Sequence, residues 1–580
     1  MGRIRKGGVA VWESTIRASS AEDRAPRRGG TLTLVGAGDV DYLDPALAYH
    51  TATRGIIRGY TRQLVGSVAS HSRAEAGKIV PDLAIDVPTV ANGGISADGT
   101  QYRFTLAEDL RWNTSSGIRP LVAADVVRGI KRLAHPLAGS PGLAYYLSTI
   151  DGMLEFRNAM AGTPADALAD RLEHTEIRGV RALGDREIWF TTRHPASDFL
   201  NMLALPFATP APIEYLEVVP GSPEFNRVLA SNGPYQVTNY VPGERIVLER
   251  NPAWEPKSDR LRAAHVDTIV VREGMSERAA HDLVATGAAD MLWDIQPLTE
   301  ELPPLLGTHD PRLEVYPAGL FSPYILVNFE QPVLASRQVR IALQYAVDKA
   351  AVSQVWGGPR LNDIADQILP PLCTAHREFR PYATEGGHGD PELARQLLAD
   401  AGYPDGLTLR LVFRDRDIHP ETAEAVKVAM ARAGIRVELV GVSINELFSD
   451  YFSASGTRKS WDIALTGWEP DWYGNNARTY LQPLFDSRGV VEDGDWGSNF
   501  GRYRNEKVNE LLSAALTSAD ETRAGELFRR MEAEVLLDAA VVPVLFAHQY
   551  WFHATTVRNW LPYPVLNGDL TNLWLDGKGR

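Results

Sequence analysis

The alternation of hydrophobic and polar positions predicts short strands and longer helices along most of the chain. Residues 31–35 alternate with a period of two, which is typical of a strand, and further strand candidates lie at 101–106, 187–191, 246–250 and 266–273. Apolar residues recur at helical spacing in 122–133 and again from about Ser336 onward, through Val339, Leu343 and Val347. No repeat of about 20–50 residues is present, which argues against solenoid and propeller folds.

One helix is marked at both ends and belongs to a larger predicted unit. Asp390 is its predicted N-cap, Pro391 occupies the first helical position, and Gly402 follows the last turn. A strand at 407–413, a helix at 420–433 and a strand at 435–440 come next. This order predicts a β-α-β unit and places the second half of the chain in the α/β class.

Residues 231–254 predict a hairpin with strong turn chemistry. Asn232-Gly233-Pro234 forms the first turn and Pro242-Gly243 the second, with strands through Val237 and over 246–250. We interpret this hairpin as architectural.

Length and charge narrow the class of protein. A chain of 580 residues is long enough for two to four domains. Its net charge of −14 and the lack of a dense basic stripe argue against a nucleic-acid partner or an anionic membrane surface.

The single Cys373 excludes an internal disulfide and is expected in a packed loop. No apolar run reaches the roughly 18 residues that a membrane span needs.

A search for catalytic and metal-binding motifs finds none. The sequence has no GxSxG elbow, no HExxH helix and no Walker loop, and its thirteen histidines show no metal-ligand spacing. We therefore expect no catalytic residue, no metal and no cofactor.

The segment Trp461 to Asn475, WDIALTGWEPDWYGN, is the strongest candidate for a binding site. Trp461, Ile463 and Leu465 alternate with polar or small residues, which predicts a strand with one buried face that Gly467 then breaks. The carboxylate of Asp471 follows, with Trp468, Trp472 and Tyr473 around it. Flat aromatic walls near one negative charge suit a cationic amine. The alternative is a core strand that runs into a turn, with Asp471 capping a neighbouring helix.

Asn328 is a second candidate. It stands alone at the end of the apolar run 324–327, ahead of the helix that starts near Ser336. Its amide either points into a cleft or forms hydrogen bonds with nearby backbone.

Several sequence blocks in a fixed order resemble one protein family. They are GGTLTL with LDP, IVPDLA, RFTLAEDLRW, AADVVRGIKR, NGPYQV with ERNPAW, VRIALQYAVDK, and DPELARQLLADAGYPDG. Each block alone is modest, but their order from about Gly29 to the C-terminus resembles solute-binding protein family 5. This is the peptide and nickel class, the oligopeptide- and dipeptide-binding proteins of ABC importers.

The resemblance implies an α/β fold of the periplasmic-binding-protein type II, with two lobes around a ligand cleft and a small inserted domain. Residues 1–28 would be a disordered leader. Lobe I would comprise 29–78, 198–320 and 549–580, the inserted domain 79–197, and lobe II 321–548. Two hinge strands would join the lobes.

The resemblance also implies roles for individual residues. Trp468 to Asp471 fits the family pattern of Trp, two residues and Asp, so Asp471 would bind the α-ammonium of a peptide or small amine. Gly467 and Glu469 would supply backbone hydrogen bonds, and Trp468, Trp472 and Tyr473 would wall the pockets. Thr51 and Thr53 lie where lobe I is expected to face the ligand.

The resemblance further implies a monomeric binding protein without turnover or cofactor, which works with a membrane permease. The expected location is extracytoplasmic, in the cell envelope or periplasm. The N-terminus shows neither the apolar segment of a signal peptide nor a lipoprotein cysteine. The segment 473–478, YGNNAR, lacks a second acidic residue that many relatives carry.

Two other functions stay open at this point. The same scaffold could hold a non-peptide ligand such as a metal chelate, a sugar or a pathway metabolite, with aromatic stacking in place of an ammonium contact. A cleft hydrolase could use Glu469 and Asp471 as an acid/base pair.

Overall fold

The computed structural model describes residues 25–298, 300–452, 459–488, 498–518, 520–563 and 568–577. Residues 1–24, most of the predicted leader, lie outside the described residues. Within the described ranges, none of the helices combines the length and the apolar character needed to cross a membrane.

The strands are β1 Thr31–Val35, β2 Val65–Ser67, β3 Ile79–Pro81, β4 Gln101–Thr105, β5 Arg111–Thr114, β6 Gly117–Pro120, β7 Val180–Leu183, β8 Glu187–Thr191, β9 Tyr235–Val241, β10 Arg245–Arg250, β11 Thr268–Arg272, β12 Met291–Leu292, β13 Leu313–Val327, β14 Asn362–Ile364, β15 Leu407–Arg414, β16 Ile435–Val442, β17 Ile463–Trp468, β18 Val541–Pro543, β19 Leu545–Phe552, β20 Val557–Arg558 and β21 Trp574–Leu575.

The helices are α1 Thr51–Tyr60, α2 Arg73–Ala76, α3 Ala123–Arg132, α4 Leu143–Thr149, α5 Met153–Met160, α6 Ala165–His174, α7 Phe199–Leu203, α8 Glu277–Ala285, α9 Leu302–Thr308, α10 Pro332–Ala335, α11 Arg337–Ala346, α12 Lys349–Val355, α13 Pro391–Asp400, α14 His419–Arg432, α15 Ile444–Glu446, α16 Ala477–Phe485, α17 Glu506–Leu516 and α18 Glu521–Leu537.

The first large sheet has the strand order β12-β1-β11-β10-β9. β1 pairs in parallel with β11 and β12, whereas β9 and β10 form the predicted antiparallel hairpin beside β11. Leu32 and Leu34 of β1 are buried in the same cluster as Ile56 and Ile57 of α1. This packing fixes the position of α1, which carries part of the candidate site.

The second large sheet has the order β14-β19-β13-β17-β15-β16, with β18 also paired to β13. β15 and β16 are parallel and α14 connects them, so the predicted β-α-β unit is confirmed. The Asp390 side chain accepts a hydrogen bond from the Leu393 N–H at 2.9 Å, which confirms the predicted N-cap.

Two long strands connect the regions around the two sheets. Leu313 at the start of β13 pairs with Phe552 at the end of β19, and His553 forms a bridge with Met291 of β12. From there both strands continue into the second sheet, where β13 also pairs with β17.

A third region packs α3 to α6 and the small sheet β4-β8-β7 around its own core, which includes Trp112, Phe104 and Phe190. Trp472, which follows β17, is buried in this same core. The candidate segment therefore contacts the third region directly.

Strand β17 differs from its sequence prediction in two ways. The expected strand had one buried face, but Ile463, Ala464 and Leu465 are all buried. Ala464 belongs to one hydrophobic core and its two neighbours to another, because β17 lies between β13 and β15 with packed layers on both faces. The second difference is that Gly467 lies inside the strand and does not end it.

The buried carboxyl of Glu532 in α18 makes the stability of the fold depend on pH. Burial raises its pKa to about 7 from 4.5, although the N–H groups of Ile368 and Leu369 donate to it and oppose the shift. The folded state therefore holds a proton that the unfolded chain releases near pH 4.5, so this group lowers stability as pH rises from about 4.5 to 7.

We expect Glu532→Gln to remove this part of the pH dependence. The free energy of unfolding of the variant should exceed that of the wild type by up to about 3 kcal/mol at pH 8 and by much less at pH 4, since one pKa unit equals about 1.4 kcal/mol. Urea unfolding at a series of pH values measures the difference. Glu526→Gln, an exposed glutamate of the same helix, is the control. An equal shift in both variants would contradict the prediction.

Candidate functional site

Asp471 lies just after β17 and is 3% exposed. Its Oδ1 accepts a hydrogen bond from Arg54 Nη2 at 2.8 Å, and its Oδ2 accepts one from the Tyr145 hydroxyl at 2.6 Å. Arg54 belongs to α1 and Tyr145 to α4, so the carboxylate joins three separate parts of the structure. The alternative in which Asp471 caps a helix is wrong, because both of its carboxylate partners are side chains of distant elements.

The guanidinium of Arg54 is buried and surrounded by aromatic rings. It lies 4.8 Å from the centre of the Tyr49 ring and 5.8 Å from that of Phe207. Burial is the strongest single influence and lowers its pKa, but the charge and hydrogen bond of Asp471, together with Tyr49 and Glu469, outweigh burial and raise the pKa of Arg54. The Asp471–Arg54 contact is therefore a buried ion pair.

Glu469 lies two residues before Asp471 and is held by different groups. Its Oε2 accepts a hydrogen bond from the Thr51 hydroxyl at 2.6 Å, and its Oε1 accepts one from Gln549 at 2.7 Å. Burial raises its pKa, although both hydrogen bonds lower it. Thr51, which was expected to face a ligand, contacts the candidate segment through its hydroxyl.

Thr53 does not join this cluster. It is buried, and its hydroxyl accepts a hydrogen bond from the Asp41 N–H at 3.2 Å, within the segment that precedes α1. The structure therefore assigns Thr53 to the support of α1.

The three aromatic residues nearest Asp471 in the sequence are buried, and the two indoles donate their N–H groups to backbone carbonyls of the protein. Trp468 donates to the Thr479 carbonyl at 2.7 Å and Trp472 to the Asn475 carbonyl at 2.8 Å. The Trp472 ring packs 5.4 Å from the ring of Tyr145, centre to centre, and Tyr473 lies 6.3 Å from Tyr316. These contacts hold the rings in place, and Trp468 and Trp472 each line a cavity beside Asp471.

Gly467 allows a close approach between two strands. A Cβ at this position would lie 2.4 Å from the Ser322 hydroxyl oxygen of β13 and 2.8 Å from the Ser322 Cβ, so a larger residue would push the two strands apart. The close packing of β17 against β13 therefore favours glycine at this position. The sequence analysis interpreted Gly467 as a strand breaker and did not predict this packing role.

Asn328 is not part of the site. Its Nδ2 donates to the Trp461 carbonyl at 2.9 Å, and its Oδ1 accepts from the Glu330 N–H at 3.1 Å. The prediction that its amide points into a cleft is wrong, since the amide satisfies backbone groups where β13 ends.

Two small cavities lie beside Asp471. One of about 50 Å³ is lined by Arg54, Arg58, Gln63, Asn201 and Trp472 among others. The other, of about 30 Å³, is lined by residues that include Tyr49, Tyr145, Trp468 and Gln482. Each has room for a few water molecules at most. A larger ligand can enter only after the parts that meet at Asp471 move apart.

Sequence reasoning missed three residues that organise the site, namely Arg54, Tyr145 and Arg478. Arg478 of α16 is buried and donates to Asp198 at 3.1 Å, to Ser148 at 2.9 Å and to Thr149 at 3.1 Å. No local motif marks these residues, because each of them acts through a partner far away in the sequence. Within the described residues, no group of His, Cys, Asp and Glu side chains could hold a metal ion.

Comparison with known proteins assigns the chain to a class. Residues 78–491, more than half of the chain, match the family described as "Bacterial extracellular solute-binding proteins, family 5 Middle". The chain belongs to this family, as the sequence blocks predicted. Members of the family are binding proteins rather than enzymes.

Individual relatives agree with this assignment. The chain is 26% identical over 513 residues to the periplasmic oligopeptide-binding protein OppA of Salmonella typhimurium, and the match covers 84% of this chain and 83% of that one. It is similar to the solved structure titled "Clavulanic acid biosynthesis oligopeptide binding protein 2", with a TM-score of 0.79 and 25% identity over 95% of this chain and 96% of that one.

A third similar protein is the Helicobacter pylori periplasmic binding protein DppA, solved in complex with the peptide STSA. The TM-score is 0.74 at 20% identity, over 95% of this chain and 98% of that one. Together with the sheets described above, these likenesses confirm the predicted α/β fold of the periplasmic-binding-protein type II.

Proposed function

We propose that this protein is the ligand-binding component of an ABC importer and that it binds peptides or peptide-like amines in the cleft at Asp471. The observation that carries the proposal is the buried carboxylate of Asp471, which is paired with a cation between aromatic walls at the end of β17. A carboxylate held in this way forms strong charge-assisted hydrogen bonds with a cationic group. An ammonium that enters the opened cleft would find the same oxygens.

The proposal extends to the remaining contacts with the ligand. Backbone groups at Gly467 and Glu469 would pair with an extended ligand, a mode of binding that accepts varied side chains. Trp468, Trp472 and Tyr473 would border the side-chain pockets. In this proposal lobe I is 29–78, 198–320 and 549–580, the inserted domain is 79–197, and lobe II is 321–548, with β13 and β19 as hinge strands.

The same contacts favour binding without turnover. An acid/base pair needs carboxyl groups that reach the substrate. Here Glu469 is engaged by Thr51 and Gln549, and Asp471 by Arg54 and Tyr145. We propose that the protein acts as a monomer outside the cytoplasm and delivers its ligand unchanged to a membrane permease, with no nucleic-acid partner. A ligand that contacts the closed form more strongly than the open form would shift the population toward closure.

Mass spectrometry of the purified protein tests this function. Native spectra detect a complex with a co-purifying ligand, and denaturing spectra identify the released molecule. Peptides or amines, unaltered after long incubation, are the expected result. Chemically converted ligand would indicate an enzyme, and a ligand without an amine would contradict the role of Asp471.

A further inference from the structure

The cation paired with Asp471 is a side chain of the protein itself. Arg54 Nη2 lies 2.8 Å from Asp471 Oδ1, and the two side chains are 4% and 3% exposed. If Asp471 anchors an ammonium, the guanidinium and the ammonium compete for the same carboxylate. Ligand binding is then an exchange of cations at this carboxylate.

From this geometry, and resting on the proposed function, we infer that the ligand carries an anionic group close to its ammonium. The anionic group binds Arg54 while the ammonium binds Asp471. Of the proposed ligands, this selects peptide-like amines with an amino-acid head, meaning an α-ammonium and a free carboxylate next to each other, over linear peptides.

The cost of leaving a buried charge unpaired supports this inference. A ligand with only an ammonium would displace Arg54 from Asp471 and leave the guanidinium among Tyr49 and Phe207 without its anion. A ligand with only an anion would take Arg54 and leave Asp471 with the Tyr145 hydroxyl alone. Either outcome is strongly unfavourable for a desolvated charge. A zwitterion exchanges both partners at once, so no charge is left unpaired.

The cavity beside the ion pair has donors available for an anion. Arg54 Nε and Arg58 Nε are buried and have no hydrogen-bond partner among the described residues. Both arginines line the cavity of about 50 Å³ together with Gln63 and Asn201. Arg58 is fixed by Asp569 at 3.1 Å and by the ring of Tyr563, whose centre lies 3.9 Å from the guanidinium carbon. A carboxylate in this cavity would meet cationic and amide donors.

One competing arrangement predicts a different ligand. Arg54 could swing from Asp471 to Glu469, which lies two residues away and is buried. A ligand with an ammonium but no anion would then suffice, because Glu469 would provide the missing charge. The two arrangements differ in whether the ligand needs its own carboxylate.

Native mass spectrometry on the full chain, after removal of any co-purified ligand, distinguishes the two arrangements. The probes are four mixtures, namely the twenty free amino acids, their C-terminal amides, their N-acetyl derivatives, and tripeptides of non-acidic residues with free termini. We expect free amino acids to bind at least tenfold more tightly than the other three mixtures, as measured by calorimetry on the probes that bind. Equal binding of amides or tripeptides would overturn the inference and leave the proposed function intact. If no probe with an ammonium binds, the result contradicts both this inference and the proposed function.

Variants of the ion pair provide a second readout. In Arg54→Gln, amides should bind as tightly as free amino acids, since no guanidinium then requires an anion. If this variant fails to fold, the double variant Arg54→Gln with Asp471→Asn removes both charges together and should bind all four mixtures with equal, weak affinity. Arg103→Gln, an exposed arginine paired with Glu187, is the control and should keep the wild-type preference. A preference for free amino acids that persists in Arg54→Gln or in the double variant would contradict the inference.

Discussion

Replacement of Asp471 by asparagine is expected to weaken ligand binding by at least tenfold and to destabilise the ligand-free protein. The variant keeps the shape of the side chain but removes its charge, so an ammonium loses a charge-assisted hydrogen bond in a buried site. A tenfold loss corresponds to about 1.4 kcal/mol of binding free energy. Calorimetric titration with the ligand identified from the purified protein measures this effect.

The loss of stability has a separate cause and a larger size. In the variant, Arg54 stays buried without its anion, and removal of one partner of a buried ion pair costs about 3–5 kcal/mol. Urea unfolding of the ligand-free protein should show this decrease. Asp450→Asn is the matched control, because Asp450 pairs with Lys459 at 2.8 Å on the surface. Such exposed pairs contribute about 1 kcal/mol or less. Unchanged ligand affinity in Asp471→Asn would exclude this residue as the anchor.

A second large effect is expected at Asp82. Its Oδ1 lies 2.7 Å from Arg62 Nε and its Oδ2 lies 2.9 Å from Arg262 Nη2, and all three side chains are almost fully buried. Asp82→Asn would leave two buried guanidinium groups with Asp259 as their remaining anion. We expect the free energy of unfolding to fall by about 3–5 kcal/mol, with urea unfolding as the measurement.

The control for Asp82 is another aspartate paired with an arginine. Asp267 lies 2.9 Å from Arg250, but the two side chains are 58% and 35% exposed. Asp267→Asn should change stability by about 1 kcal/mol or less, because water solvates both groups. A similar effect of the two substitutions would show that burial does not determine the strength of these pairs.

The interior of β17 shows why burial of a strand is difficult to predict. The pattern of Trp461, Ile463 and Leu465 identified a strand, but Ala464 does not reveal from its type that a second core packs against it. That information depends on which elements cover the other face of the sheet. For Asn328, likewise, the sequence marked a polar residue at the end of an apolar run. Only the tertiary structure showed that the Trp461 carbonyl lies beside it and accepts a hydrogen bond from its amide.

The sequence by itself determined the elements, the α/β class, the family and the segment that contains Asp471. The elements and the class follow from patterns that act over a few residues, such as periodicity and the Asp390 cap. The family follows from the order of the sequence blocks along the chain. Only the tertiary structure decided the partners of the carboxylate. Arg54 is 417 residues away from Asp471 in the chain and Tyr145 is 326 away. An ion pair forms where packing brings two elements together, and no local pattern encodes that meeting.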